Sequence, residues 1–322
     1  MGSDLTEAPT EPPSDFRDDV LAKLARADWH RYPDRSQTVV LEKIASCYGI
    51  SPDSILLTRG CTEALRVSFT AAAAEGFRLL LPAPSYFGFS LIAESLAAPH
   101  TFYSGADTVA VLRSAADVTP DSTLVICSPD NPTGEVRQNA EIETLAHLHR
   151  GGCIVDLTYD HFAQDPLHPH LADLLEAPVT ACLSLSKCFG VAGARLGLLF
   201  GPPSALERYR HLVDPFPADY FQLAVLDSLF DDEWKSVRED LVHRVQRDRA
   251  LVASLVPGIL PGARLRELNG NFVSFHYPDD VQPDLIKELL RRTASKHFRH
   301  LSLVRLTVNG MTLSGLRAMK RK

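Results

Sequence analysis

Residues 180–200 read TACLSLSKCFGVAGARLGLLF, two short apolar runs (180–183 and 196–200) on either side of a lysine and a glycine-rich turn. Neither run alternates apolar with polar residues. A strand with one wet face shows that alternation, so continuous runs of this length predict strands covered on both faces, the condition of a mainly parallel sheet between helix layers. The same pattern repeats outward from this stretch. Apolar runs at 78–81, 124–127 and 153–155 are separated by helical spacing at 86–96 and 139–149, and a β-branched run at 55–58 stands between helical patterns at 39–48 and 62–74. Strands alternating with helices predict an α/β fold with a large, mostly parallel central sheet.

Past Pro202 the character changes. A long charged helix over 233–255, a strand at 271–276, a helix at 283–292 and a strand at 303–308 predict a smaller α+β domain. The expected division is an N-terminal tail or arm at 1–30, a large domain at 31–205 and a small C-terminal domain at 206–322. Residues 1 to about 20 are rich in Pro, Thr, Asp and Glu, a composition too polar to stay ordered by burial.

With 322 residues the chain is long enough for a large core. A net charge of -7, from 33 basic and 40 acidic residues, disfavours nucleic acid and anionic membranes as partners and favours a small molecule. No apolar run reaches the roughly 18 residues of a membrane span, and no secretory signal opens the chain, so a cytoplasmic location is expected. Six cysteines without a CxxC pair read as reduced core thiols. No metal is expected: His161, His168 and His170 sit in a Pro-punctuated loop without a tight acidic partner set, which reads as solvated.

Five segments carry chemistry. Lys187 follows a buried run, where desolvation disfavours an ammonium group, and conversion to an imine removes that cost while making the amine a nucleophile. Cys127-Ser128-Pro129-Asp130-Asn131-Pro132-Thr133-Gly134 follows another strand, and Asp156 ends a third with Tyr159 three residues on. Arg59-Gly60-Cys61-Thr62-Glu63 lies between a strand and a helix, where free backbone N–H groups make an anion site. Arg305 interrupts an apolar strand, and a buried guanidinium demands an anion. Each is ordinary alone: a strand-end lysine, a turn, a helix cap, a salt bridge.

Taken in their order along the chain, the segments resemble the fold-type I pyridoxal-phosphate aminotransferases, most of all histidinol-phosphate aminotransferase and its relatives, from Arg31-Tyr32-Pro33-Asp34 through Arg305 to Gly310. The resemblance implies pyridoxal 5'-phosphate held as a Schiff base on Lys187, which also shuttles the proton at the substrate Cα. Asp156 would pair with the pyridinium nitrogen, and Asn131 and Tyr159 would hydrogen-bond the ring 3-oxygen. Cys61 (through its amide), Thr62, Ser184 and Arg195 would bind the phosphate, Tyr86 would stack on the ring, Arg305 would take the substrate carboxylate, and Asn131 would also contact the substrate. Tyr32 resembles the residue that reaches the neighbouring subunit's site, which implies a homodimer.

The implied activity is transfer of an α-amino group from an amino acid to a 2-oxo acid. A decarboxylase, lyase, cyclase or oxidase of amino acids would share the same cofactor shell, and a non-catalytic binding protein of this fold would keep the scaffold. The Asn-Glu-Asn-Pro-like segment that precedes the Tyr-Pro region in the family is absent, so a more open site mouth, or one filled by the partner, is expected. Arg292 and Arg299 read as solvated, which leaves no residue for a substrate side chain.

Overall fold

The computed structural model describes residues 5–104 and 121–320. Helices α1 (Ser14–Ala25) and α2 (Thr38–Tyr48) precede strand β1 (Ile55–Thr58), helix α3 (Cys61–Ala74) and strand β2 (Arg78–Ala83). Then come α4 (Gly88–Ser95), β3 (His100–Ser104), β4 (Ser122–Cys127), α5 (Asn139–Leu148), β5 (Cys153–Asp156), α6 (Leu171–Leu174) and β6 (Val179–Ser184). The one-turn helix α7 (Leu185–Cys188) carries Lys187 and leads to β7 (Gly197–Phe200).

Among the described residues these strands form one sheet of order β1-β7-β6-β5-β4-β2-β3. Strands β3, β2, β4, β5 and β6 pair in parallel, while β7 runs antiparallel to both β6 and β1. The continuous apolar runs are buried throughout: every residue of β1, β4, β5, β6 and β7 lies in the interior. One hydrophobic cluster fills each side of the sheet, with Leu57, Leu124, Val155 and Leu183 on one and Leu56, Val125, Ile154 and Cys182 on the other. Neighbouring residues of one strand thus face opposite layers, the period-2 geometry of a strand buried twice.

The sheet positions the site by topology. In parallel sheets the carboxyl ends of the strands share one edge, and the loops leaving them meet there. Asp156 ends β5, Ser184 ends β6, and Asn131 lies just beyond β4.

The C-terminal part follows helices α8 (Pro203–Tyr209), α9 (Tyr220–Leu229) and α10 (Lys235–Ile259). Strands β8 (Arg264–Leu265), β9 (Phe272–His276), β10 (Ser295–Phe298) and β11 (Leu303–Thr307) form a second, antiparallel sheet of order β10-β11-β9-β8. Helices α11 (Pro283–Arg292) and α12 (Gly310–Lys320) complete this part, whose own cluster joins Val252, Val256, Phe275, Leu289, Val304 and Leu316. The large-domain cluster runs past residue 205, taking in Ala224, Val225, Leu226 and Leu229 of α9 and Val245 of α10.

The polar N-terminal segment departs from expectation. From residue 5 it is placed, not loose: Phe16 and Val20 of α1 enter the large-domain cluster against α9, with Phe16 edge-on to Trp234. Two apolar side chains at i and i+4 suffice to dock a helix whose overall composition is polar.

The histidine loop also differs. Asp160 is buried and accepts from the Leu167 N–H (2.7 Å), the His168 N–H (2.9 Å) and His168 Nδ1 (2.7 Å). The His161 ring stacks on His168 at 4.2 Å, and its Nε2 sits 3.3 Å from the Tyr48 hydroxyl. The acidic partner is thus adjacent in sequence. Its oxygens are taken up in clamping the loop, and the two imidazoles lie nearly parallel at 11°, whereas a shared ion would have to lie in both ring planes. His170 is exposed.

Candidate active site

A cavity of about 470 Å³ opens at the carboxyl edge of the large sheet, where it meets the second sheet. Ten of the eleven expected site residues line it: Cys61, Thr62, Tyr86, Asn131, Asp156, Tyr159, Ser184, Lys187, Arg195 and Arg305. Tyr32 does not. Tyr32 is 77% exposed, its ring stacked on Phe216 at 4.5 Å, with the Tyr220 hydroxyl on its carbonyl.

Lys187 stands on α7, directly after β6, and its Nζ donates to the Leu5 carbonyl at 2.6 Å. Burial and then the Arg305 cation hold its pKa down at about 8; Glu7 pulls it upward, and Arg195 adds a smaller downward push. Asp156 is buried at the end of β5. Its Oδ1 accepts from the Thr158 N–H at 2.9 Å and the Cys61 thiol at 3.5 Å. Burial raises its pKa, and these donors oppose the rise, as the positive nitrogen of a bound heterocycle also would.

On another wall, Arg305 Nη1 donates to Asn131 Oδ1 at 2.7 Å, and Asn131 Nδ2 donates to the Tyr159 hydroxyl at 3.1 Å. Tyr159 continues the chain to Thr6 Oγ1 at 2.9 Å. Burial pushes the Tyr159 hydroxyl up to about 12 despite Arg305, so it stays protonated at neutral pH and can donate. Arg305 is itself buried on β11, its guanidinium 5.9 Å from the Phe272 ring centroid.

An anion cradle faces Lys187. Helix α3 begins after Gly60, which has no side chain to cap the first N–H groups. Gly60 has φ +79°, and a Cβ there would sit 2.9 Å from Arg195 Nη2. Across from it, a Cβ on Gly197 would meet the Gly60 carbonyl carbon at 2.4 Å and the Cys61 nitrogen at 2.7 Å. Two glycines therefore let strand β7, the helix start and a guanidinium converge. Arg195 adopts a left-handed backbone conformation (φ +53°) to reach it. The Ser186 hydroxyl, buried and without a hydrogen-bond partner, lines the same cavity. An orphaned hydroxyl, free helix amides and an arginine are the donor set of a phosphate dianion. With a carboxylate and a depressed lysine alongside, the residues fit pyridoxal 5'-phosphate.

Several lining residues lay outside the sequence expectation. Ser186 lies two places from the named Ser184 within one SLSK string, and Ser184, besides lining the cavity, caps α7 by accepting from the Ser186 N–H. Leu5, Thr6 and Glu7 fill the mouth where a more open site, or a partner, was expected. Asn271 Nδ2 holds the Thr6 carbonyl at 2.7 Å, and Thr6 takes a positive φ of 53° to present its side chain inward. Lys296 of β10 lies over the rings of Phe87 (4.4 Å) and Phe298 (5.6 Å) at the cavity. Arg292 is engaged by Glu288 on its own helix.

Residues 6–319 match the family aminotransferase class I and II. Histidinol-phosphate aminotransferase 1 of Burkholderia lata is 28% identical over 95% of this chain and 87% of that protein. Histidinol-phosphate aminotransferase of Pelodictyon phaeoclathratiforme is 30% identical over 65% of this chain, a match spanning 60% of the relative's length. In fold, histidinol-phosphate aminotransferase from Sinorhizobium meliloti, solved in complex with pyridoxal-5'-phosphate, superposes with a TM-score of 0.80 at 15% identity, covering 98% of this chain and 89% of that one. The match begins at Thr6, inside the segment that fills the cavity mouth. The chain belongs to the aminotransferase class I and II family and is a fold-type I enzyme of that type with pyridoxal 5'-phosphate as its cofactor.

Proposed function

We propose that Lys187 is the covalent anchor of the cofactor, its Schiff-base residue, and the acid/base that moves the proton at the substrate Cα in transfer of an α-amino group from an amino acid to a 2-oxo acid. The cofactor supplies an electron sink for the Cα bond being broken. Around it, Asp156 holds a proton on the ring nitrogen, and Asn131 and Tyr159 hold the 3-oxygen. The amides of Cys61 and Thr62, with Arg195, Ser184 and Ser186, hold the phosphate, and Tyr86 covers the ring. Arg305, oriented by Asn131, forks onto the substrate carboxylate.

The observation that carries this reading is the chain Arg305–Asn131–Tyr159, unbroken at 2.7 and 3.1 Å, in one cavity with a lysine whose pKa is about 8. An anchor for the carboxylate and an amine that loses its proton near neutral pH, within one cavity, are what proton transfer at an amino-acid Cα requires. Lys296 is the cation placed to meet the distal end of a substrate. Histidinol phosphate, the substrate in the relatives' names, is therefore the first amine to test beside amino acids.

We further place the enzyme in the cytoplasm as a homodimer. Six cysteines stand free, five of them buried, as a reducing compartment permits. Tyr32 lies on the surface with exposed Trp29 nearby in sequence, available to a second copy's site. Incubating the holoenzyme with candidate amino donors tests the activity: the visible band of the lysine-bound cofactor gives way to that of pyridoxamine phosphate, and a 2-oxo acid restores it. A spectrum unchanged by every donor rejects transamination.

A further inference from the structure

We propose that Asp130 is a positioning residue, whose buried carboxylate ties the loop carrying Tyr86 to the loop carrying Asn131 and so aligns two walls of the cofactor site at once. The roles of Tyr86 and Asn131 rest on the function proposed above; the bridge itself is geometric.

Asp130 is 8% exposed. The Ser85 hydroxyl donates to its Oδ1, and the Thr133 hydroxyl donates to its Oδ2 at 2.8 Å, with the Thr133 N–H at 3.4 Å. Ser85 is the residue before Tyr86, and Asp130 the residue before Asn131. One carboxylate therefore acts on neighbours of both.

The strands beneath these loops do not hold them together. β2 and β4 pair only over Arg78–Leu80 against Ser122–Leu124, short of the ends where the loops leave. Beyond that pairing lies a small cavity of about 30 Å³ lined by Pro82, Pro84, Tyr103 and Asp130. The Asn131 turn closes on its own backbone, from the Asp130 N–H to the Glu135 carbonyl and from the Gly134 N–H to the Asp130 carbonyl, both at 2.7 Å. Backbone bonds thus close the turn, and the Asp130 side chain, whose Oδ2 adds a bond to Thr133 within it, reaches across to Ser85 with its Oδ1. Burial pushes the Asp130 carboxyl up to about 6, with the Ser85 and Thr133 donors opposing it, so the carboxylate that accepts both hydroxyls prevails at neutral pH.

The test compares Asp130→Ala, Asp130→Asn, which keeps an acceptor, Ser85→Ala and Thr133→Ala. In the cofactor-free protein, amide hydrogen exchange over residues 84–88 and 130–134 rises in Asp130→Ala. It rises over 84–88 alone in Ser85→Ala, over 130–134 alone in Thr133→Ala, and stays near wild type in Asp130→Asn. In the holoenzyme, Asp130→Ala weakens cofactor binding by about fivefold or more and changes the circular dichroism of the cofactor band. Asp130→Asn restores both. If Asp130→Ala does not fold, the two single-hydroxyl variants decide the question. Wild-type exchange in both loops for Asp130→Ala, or for both hydroxyl variants, overturns the bridge. A wild-type protein that binds no pyridoxal phosphate overturns the functional reading instead, while the exchange data still judge the bridge.

Discussion

Lys187 should be far more reactive than other lysines of the cofactor-free protein, because the fold holds its pKa at about 8. An ordinary lysine near about 10.4 is neutral in roughly one molecule in 2500 at pH 7; at about 8 the fraction is roughly one in eleven, a gain of about 200-fold. The largest cause is burial, followed by the Arg305 guanidinium. Arg305→Gln removes that cation and should move the midpoint upward. The assay is labelling by a limiting amine-acylating reagent across pH, read by peptide mass at residue 187. The sign for stability follows from the same numbers. The folded pKa lies below the unfolded one, so between about 8 and about 10.4 the unfolded chain holds more protons and stability rises with pH. Below about 8 the cost of the buried ammonium is present in full. Lys187→Met should therefore stabilise the cofactor-free protein at pH 7 and lose that advantage above about pH 10. A wild-type midpoint at about 10, or one that Arg305→Gln leaves in place, refutes the account of how this lysine is activated.

Other perturbations probe the rest of the site. Gly60→Ala puts a Cβ against Arg195 at a φ of +79°, and should cost about 1–3 kcal/mol of stability and weaken cofactor binding, read by melting and by titration with pyridoxal phosphate. Asp156→Ala should lower kcat by about 100-fold or more with a smaller change in cofactor affinity, because the ring nitrogen loses the carboxylate that keeps it protonated. Arg305→Lys keeps the charge but not the fork, and should raise KM for carboxylate-bearing donors by about tenfold, while sparing an amine without that carboxylate. Deleting residues 1–10 removes the Leu5 carbonyl from Lys187 and the Thr6 hydroxyl from Tyr159. It should lower kcat and open the cavity to solvent, with the large domain still folded around Phe16 and Val20.

Much of this was legible in the sequence because its signals are local. Each apolar run at 55–58, 124–127, 153–155 and 180–183 became a buried strand, since a strand covered twice has no polar face to hide it. The predicted helix at 283–292 coincides with Pro283–Arg292, where a proline marks the first turn. Lys187, Asp156 and Asn131 all lie at or just beyond strand ends, the positions that a parallel sheet brings to one edge. What stayed hidden depends on contacts that only folding makes. Thr6 reads as tail because its neighbourhood is mostly polar and shows no apolar period; Tyr159, Lys187 and Asn271, more than 150 residues away, hold Thr6 and Leu5 in place. Asp160 gave no signal beside His161 because its clients are the backbone and ring of a loop that must first fold back. Lys296 sits on a four-residue strand with every side chain partly buried, a pattern with no period to detect. Tyr32 is surface-exposed in the single chain, and its proposed role needs a second copy.

Borohydride reduction in the presence of pyridoxal 5'-phosphate, followed by peptide mass mapping, measures the central claim directly. The account predicts one stoichiometric reduced adduct, on Lys187, and none in Lys187→Ala. Adduct spread over surface lysines, or a protein that stays colourless and unmodified at position 187, would contradict it.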